Sequence, residues 1–281
     1  MAWFYPAVQG NLYTPRTGVG TCTAGAVDAL SETGSATITG SMVRLPGNVT
    51  YPAPPAPSPM PGTTNVSITS ANVLLGCTLL GFLPTQCTTS TSGGNTTISI
   101  NNGGAPFALP NVSLSSHVIL EIAASSAPSQ VVNLNSLNLT GGGRIAVKAT
   151  VANQAVIVNL AGKNPDGTDM TTVMDFGGNS GGQFQNNSTC AGCSVYDASM
   201  LQFVYGGTGT INLRGNSGAA GTVYAPNAAI NFNGTADLYG SILGRTVTNG
   251  GNANIHYDRR LERDFYVEGA QMIGTFSWKR N

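Results

Sequence analysis

Residues 209–245 read GTINLRGNSGAAGTVYAPNAAINFNGTADLYGSILGR, one unit written twice, nineteen residues apart. INLRG, NSGAAG and TVYAP in the first copy answer to INFNG, TADLYG and SILGR in the second. Aligned, Ile211 falls on Ile230, Asn212 on Asn231, Leu213 on Phe232, Gly215 on Gly234, Gly221 on Gly240, Thr222 on Ser241 and Val223 on Ile242. A period of about 20 residues, built from short apolar runs and glycine, marks a chain in which each turn buries its apolar face only against the next. The expected architecture is therefore all-β, a parallel β-helix (solenoid). The competing β-sandwich also places turns every 8 to 12 residues or so, but without this register of glycines and apolar anchors.

Within each unit, alternation sends Ile211 and Leu213, or Ile230 and Phe232, inward and leaves Asn212 and Asn231 outside. The glycines are expected to turn the chain, because glycine takes positive φ without strain. A second short strand then starts just after Gly221 or Gly240, and stacked strands pair in parallel.

Composition sets the wider limits. Charged residues make up 9% of the 281, balanced twelve against twelve, so no basic patch invites nucleic acid. Disorder normally joins high net charge to a lack of β-branched residues, and here Val, Ile and Leu recur throughout. No run of 18 apolar residues is present, so no membrane span is expected in this chain, and no cleavable signal is visible. The opening MAWFYP reads either as the remnant of an upstream export or anchoring helix or as an apolar cap.

One domain over residues 1–281 is expected: an irregular cap at 1–34, coils over 35–257, and a second cap at 258–281. The run TYPAPPAPSPMPG at 50–62 holds six prolines, which deny a central strand its donors and favour extended polyproline II. It reads as a stiff excursion between coils, with a docking segment for an aromatic groove as the alternative. Alternation resumes in NVSITSANVLL from Asn65 and in NTTISINNGG at 95–104. HVILEIAA (117–124), QVVNLNSLNLTG (130–141), GRIAVKATV (143–151) and AVIVNLAG (155–162) follow as four strands of the hydrophobic heart. Sustained 3.6-residue periodicity is absent, and the one helical candidate is DRRLERDFYV at 258–267.

Five cysteines bear on compartment and chemistry. Cys77 and Cys87 flank a short loop, and Cys190 and Cys193 form CAGC inside a polar, Gly-rich stretch. A redox motif calls for a βαβ setting and a structural zinc for a second ligand pair, and neither is visible. The expected outcome is two local disulfides in an oxidising compartment, Cys77 with Cys87 and Cys190 with Cys193, leaving Cys22 free or paired between chains. Asp166, Asp169 and Asp175 are the candidate calcium ligands, hard oxygen donors in a Gly-rich loop. Their spacing matches neither the EF-hand loop nor the glycine-aspartate nonapeptide of calcium-binding β-rolls, so no cofactor is expected. His117 and His256 are the only histidines; His256, beside Asp258, is the one constellation suited to acid–base chemistry, against a structural role on the last coil.

The segment from Leu201 to Asp258, with the closing FSWKRN, resembles the C-terminal β-helical domain of bacterial pilus-associated surface proteins. The marks are Leu201-Gln202, Tyr224-Ala225-Pro226, Gly240-Ser241-Ile242, Gly251-Asn252 leading into Ile255-His256-Tyr257-Asp258, and Trp278. Such proteins often begin with a PilX-like or TadG-like membrane segment, and the resemblance implies no catalytic residues. Similar units occur in adhesin-like surface domains. The expectation is a non-enzymatic, exported, cell-surface or pilus-associated structural or adhesion module, whose partners are other surface or pilus proteins or glycans, with an oligomer allowed. A polysaccharide-active β-helix enzyme and a carbohydrate- or ice-binding solenoid are the alternatives; Thr37-Ile38-Thr39 fits a Thr-x-Thr unit, but no regular ladder of such units is present.

Overall fold

The structure is a computed structural model. It describes residues 7–8, 12–14, 37–38, 42–44, 50–124, 129–151, 154–177, 184–188, 190, 194, 197–215, 219–234, 237–250, 255–258 and 261. Chain contacts divide it into two compact units, Met1–Pro52 and Ala53–Asn281. In the first, strands β1 (Ala7–Val8) and β2 (Leu12–Thr14) pair in parallel with β3 (Thr37–Ile38) and β4 (Met42–Arg44). The stretch 1–34, expected to be irregular, thus contributes two short strands, in which Val8 and Tyr13 meet Ile38 and Val43 across a thirty-residue offset.

The second unit opens with the proline-rich stretch, which forms no strand. It continues through β5 (Asn65–Ile68), a 3₁₀ turn (Val73–Leu75), helix α1 (Gly76–Leu79) and the antiparallel hairpin of β6 (Cys87–Ser92) and β7 (Asn95–Ile100). Then come β8 (Phe107–Leu114), β9 (Val118–Ala124), β10 (Ser129–Leu139), β11 (Arg144–Ala149), β12 (Ala155–Leu160), β13 (Thr172–Phe176) and β14 (Phe184–Asn186). The series closes with β15 (Leu201–Tyr205), β16 (Thr210–Gly215), β17 (Ala219–Gly234), β18 (Leu238–Asn249) and β19 (Ile255–Tyr257). The fold is all-β, as its β-branched runs require. The four central strands β9 to β12 fall where the apolar runs placed them. The helical turn at α1 was not expected; ahead of the 3₁₀ turn, Asn72 turns the chain off β5 by accepting the Thr69 N–H at 2.8 Å and donating to Ser67 C=O at 3.0 Å. Of the helix expected at 258–267, only Asp258 and Leu261 lie within the described residues, and Leu261 is helical and buried.

Two sheets carry these strands, one in the order β14-β11-β9-β7-β6, the other containing β5, β8, β10, β12, β13 and β15 to β19. Every ladder between named strands in this unit is parallel except the β6–β7 hairpin. Long strands serve two ladders. The first half of β10 pairs with β12 and its last residues with β13, while β17 pairs with β15 near Val223 and with β16 near Ile230. Six strands, β10, β12, β15, β17, β16 and β13, thereby close a ring of parallel pairings.

The nineteen-residue register is observed strand against strand. Ile211 pairs with Ile230, Leu213 with Phe232, Gly221 with Gly240 and Val223 with Ile242. Ile211, Leu213, Ile230, Phe232 and Val223 are buried, whereas Ile242 is only partly so. One detail differs from expectation: Gly221 and Gly240 do not turn the chain but lie inside β17 and β18. Gly240 has φ 148°, and a Cβ there would stand 1.9 Å from the Gly221 carbonyl oxygen, so the glycine is required by backbone contact between stacked strands. The register shift between Ala225 and Ala229 marks the bend where one ladder gives way to the next.

One continuous core runs from Ile68 to Leu238. The outside is not uniformly polar. Ile157, Val204 and Tyr224, on the outer side of β12, β15 and β17, form a second small buried cluster. Asn133 and Asn135 are fully buried as well. Asn133 donates to the Pro59 carbonyl at 3.0 Å, so the proline-rich stretch lies on the outer side of β10. Its stiffness presents carbonyls without competing N–H groups.

Candidate functional site

The parallel register lines up polar side chains across the outer side of the ladder that runs from β5 to β18. Ser67, Ser113, Asn138, Asp175, Asn212, Asn231 and Thr248 are successive partners in one row. Each comes from the outward position of its strand, between inward residues such as Leu137 and Leu139 or Ile211 and Leu213. Asn231 donates its side-chain N–H to Asn212 Oδ1 at 3.0 Å, so stacking buries Asn212 even though it points outward. A groove of about 370 Å³ opens along the β5, β8, β10 and β13 part of this row, with Asn65, Asn111, Met170 and Thr172 as further lining. Asp175 is its one carboxylate. Its Oδ1 is buried and accepts no hydrogen bond; Arg214 Nε stands 4.0 Å from it.

A second cluster sits on the outer side of the other sheet. Glu121 on β9 is buried and stands in register with Ser99 of β7 and Ala146 of β11. Ser99 Oγ donates to Glu121 Oε1. Asn187, just past β14, donates to Oε2 at 2.8 Å, and Lys148 Nζ lies 3.5 Å from Oε1. A cavity of about 330 Å³ opens beside these groups, lined also by Thr88, Asn101 and Thr150. The sequence carried a signal for two members: Glu121 is the one charge in VILEIAA, and Lys148 is the charge inside RIAVKA, after Arg144 at its start. Asn187, in QNNST, carried none.

The residues singled out from the sequence are placed as follows. Cys77 and Cys87 form a disulfide with an S–S distance of 2.08 Å, joining α1 to β6. Cys190 is disulfide-bonded; Cys193 and Cys22 lie outside the described residues. The three aspartates do not converge. Asp169 binds Lys163 Nζ at 2.6 Å and accepts from Thr208 N and Oγ1 at 3.2 and 2.9 Å, and these contacts hold its carboxyl below the usual range, the Lys163 bond most of all. Asp166 accepts from Thr168 Oγ1 and N at 2.6 and 3.0 Å, which lowers its pKa too. Asp175 belongs to the polar row. Among the described residues no group of three His, Cys, Asp or Glu is arranged to hold a metal ion. His256 Nε2 lies 3.3 Å from Asp237 Oδ2, and its ring stacks on Tyr239 at 4.8 Å. The fold thus brings to His256 a carboxylate nineteen residues upstream. His117 is exposed at the turn into β9.

Among the described residues no helix is long and apolar enough to cross a membrane. No curated protein and no solved structure matches the chain. Residues 84–264 match the family described as "Domain of unknown function (DUF7305)", a description that names neither an activity nor a pilus; the match covers more than half of the chain, which belongs to that family.

Proposed function

We propose that the chain is an exported, non-enzymatic cell-surface or pilus-associated structural and adhesion module, a β-helical stack whose outer polar row binds glycans. The observation that carries this reading is the row from Ser67 to Thr248, seven side chains in register on seven stacked strands. At the ~4.8 Å spacing of paired strands it extends about 29 Å, the scale of several sugar rings. Amides and hydroxyls both donate and accept, which suits a hydroxyl-rich ligand. Asp175, whose side chain is partly exposed, adds a carboxylate acceptor for a sugar hydroxyl. Many weak contacts on a rigid surface add up when both ligand and site repeat.

The β-helical reading is supported by the parallel ladders, the nineteen-residue offset and the way β10 and β17 each pass from one ladder to another. Export is supported by the Cys77–Cys87 disulfide, since such bonds persist in oxidising compartments. The link to pili rests on the sequence resemblance alone.

The test is a binding screen of the purified chain against pectins, alginates, glycosaminoglycans and chitin. Binding that weakens about tenfold, or 1.4 kcal/mol, in Asn138→Ala or Asp175→Asn supports the reading. Retention on none of these glycans by folded protein removes it in favour of a protein partner. Turnover of any of them that is lost in Asp175→Asn or His256→Ala replaces it with the polysaccharide-active enzyme.

A further inference from the structure

We propose that Lys148 and Asn187 become joined by an isopeptide bond, with Glu121 as the catalytic residue that carries the protons. The three side chains meet on the outer side of the second sheet. Val147 pairs with Asn186, and Asn187 N–H then donates to the Val147 carbonyl at 2.8 Å, so Lys148 and Asn187 are the next cross-strand neighbours. Glu121 stands in register with Ala146, two residues before Lys148, and therefore on the same outer side. The methyl of Ala146 is small enough for Glu121 and Asn187 to meet across it.

The contacts are those the reaction needs. Lys148 Nζ lies 3.5 Å from one oxygen of Glu121, and the leaving nitrogen of Asn187 bonds the other at 2.8 Å. One carboxylate thus touches both the nitrogen that would lose a proton and the nitrogen that must gain one. The Glu121 side chain is 8% exposed and that of Lys148 49%. The buried carboxylate stands beside the ammonium that it must deprotonate. The half-exposed lysine leaves a path for ammonia to escape.

Lys148 passes one proton from its ammonium to Glu121 and attacks Asn187 Cγ as the free amine. The Nζ–Cγ bond forms, a further proton moves from Nζ to Nδ2 through Glu121, and the Cγ–Nδ2 bond breaks. Ammonia leaves and takes the proton still held by Glu121, departing as ammonium; Glu121 is again a carboxylate, and an amide links the two side chains. No oxidant, cofactor or external nucleophile enters the balance. Ser99, donating to the same Glu121 oxygen that faces Lys148, is a positioning residue.

The experiment is intact-mass spectrometry of the full, reduced chain, followed by tryptic mapping. The expected result is a mass short by one ammonia, no cleavage after Lys148, and a branched peptide joining Lys148 to Asn187. Glu121→Gln, Lys148→Arg and Asn187→Ala should each restore the full mass. Lys148→Arg sits at a half-exposed position and keeps the charge, so it reports on the bond even where Glu121→Gln lowers the yield of folded protein. A wild-type chain of full mass, or one that loses ammonia without the Lys148–Asn187 branch, overturns the proposal, as does a branch that persists in Glu121→Gln.

Discussion

Tyr205 illustrates how a single residue is held. It ends β15 fully buried, and its ring is enclosed by glycines: a Cβ on Gly207 would lie 2.5 Å, and on Gly162 2.7 Å, from the Tyr205 hydroxyl oxygen. The hydroxyl accepts the Gly209 N–H at 3.0 Å, and burial pushes its pKa up. Deleting that oxygen leaves a buried backbone donor without its partner, which costs about 1–3 kcal/mol. Tyr205→Phe should therefore fall in stability by roughly that amount in urea melts with an unchanged circular dichroism spectrum. A variant as stable as the parent would show that water replaces the hydroxyl.

At the scale of the element, the stacked copies differ in how much they tolerate. Val223 is 2% exposed and lies between Phe203 and Ile242 in the register, so Val223→Asp places an unpaired carboxylate in the core. That should cost roughly 3 kcal/mol or more. Ile242 lies past Gly240, which pairs with the final residue of β19, and is only partly buried. Ile242→Asp should therefore cost less than Val223→Asp, although sequence alignment makes the two positions equivalent. Asn231→Asp replaces the donor to Asn212 Oδ1 with an acceptor and should cost about 1 kcal/mol. Thermal melts of the three variants rank them directly; equal loss at all three would break the inward and outward assignment.

For the molecule as a whole, the scarcity of charge governs the response to acid. Only twelve carboxylate side chains are present in 281 residues. Asp169 joins segments far apart in sequence, bonded to Lys163 on one side and Thr208 on the other. Its pKa is lowered from 3.8 by these bonds, so its contribution is complete above that value and is lost as pH falls through the lower folded value. Asp169→Asn should be less stable than the parent by about 1 kcal/mol near neutrality, the measure of a partly exposed pair. The gap should close as melts are taken down to about pH 2. A gap that stays constant would assign the loss to packing.

The sequence by itself determined that the chain is all-β, where its central strands lie, and which residues of the two copies face each other. Those features follow from local alternation and a fixed period, which the backbone geometry of paired strands reads directly. The Cys77–Cys87 disulfide was legible because its ten-residue separation closes one local loop. What faces outward was not legible in the same way. Alternation marks Asn133 and Asn212 as outward, but only the stacked neighbours decide that both are buried. The strand runs AVIV, LQFV and TVY, apolar at positions of both parities, conceal an outer row that becomes the second buried cluster. The meeting of Glu121, Lys148 and Asn187 belongs wholly to the tertiary structure, because parallel strands bring together residues separated by up to 66 positions. No local pattern encodes that distance; the register of one ladder does.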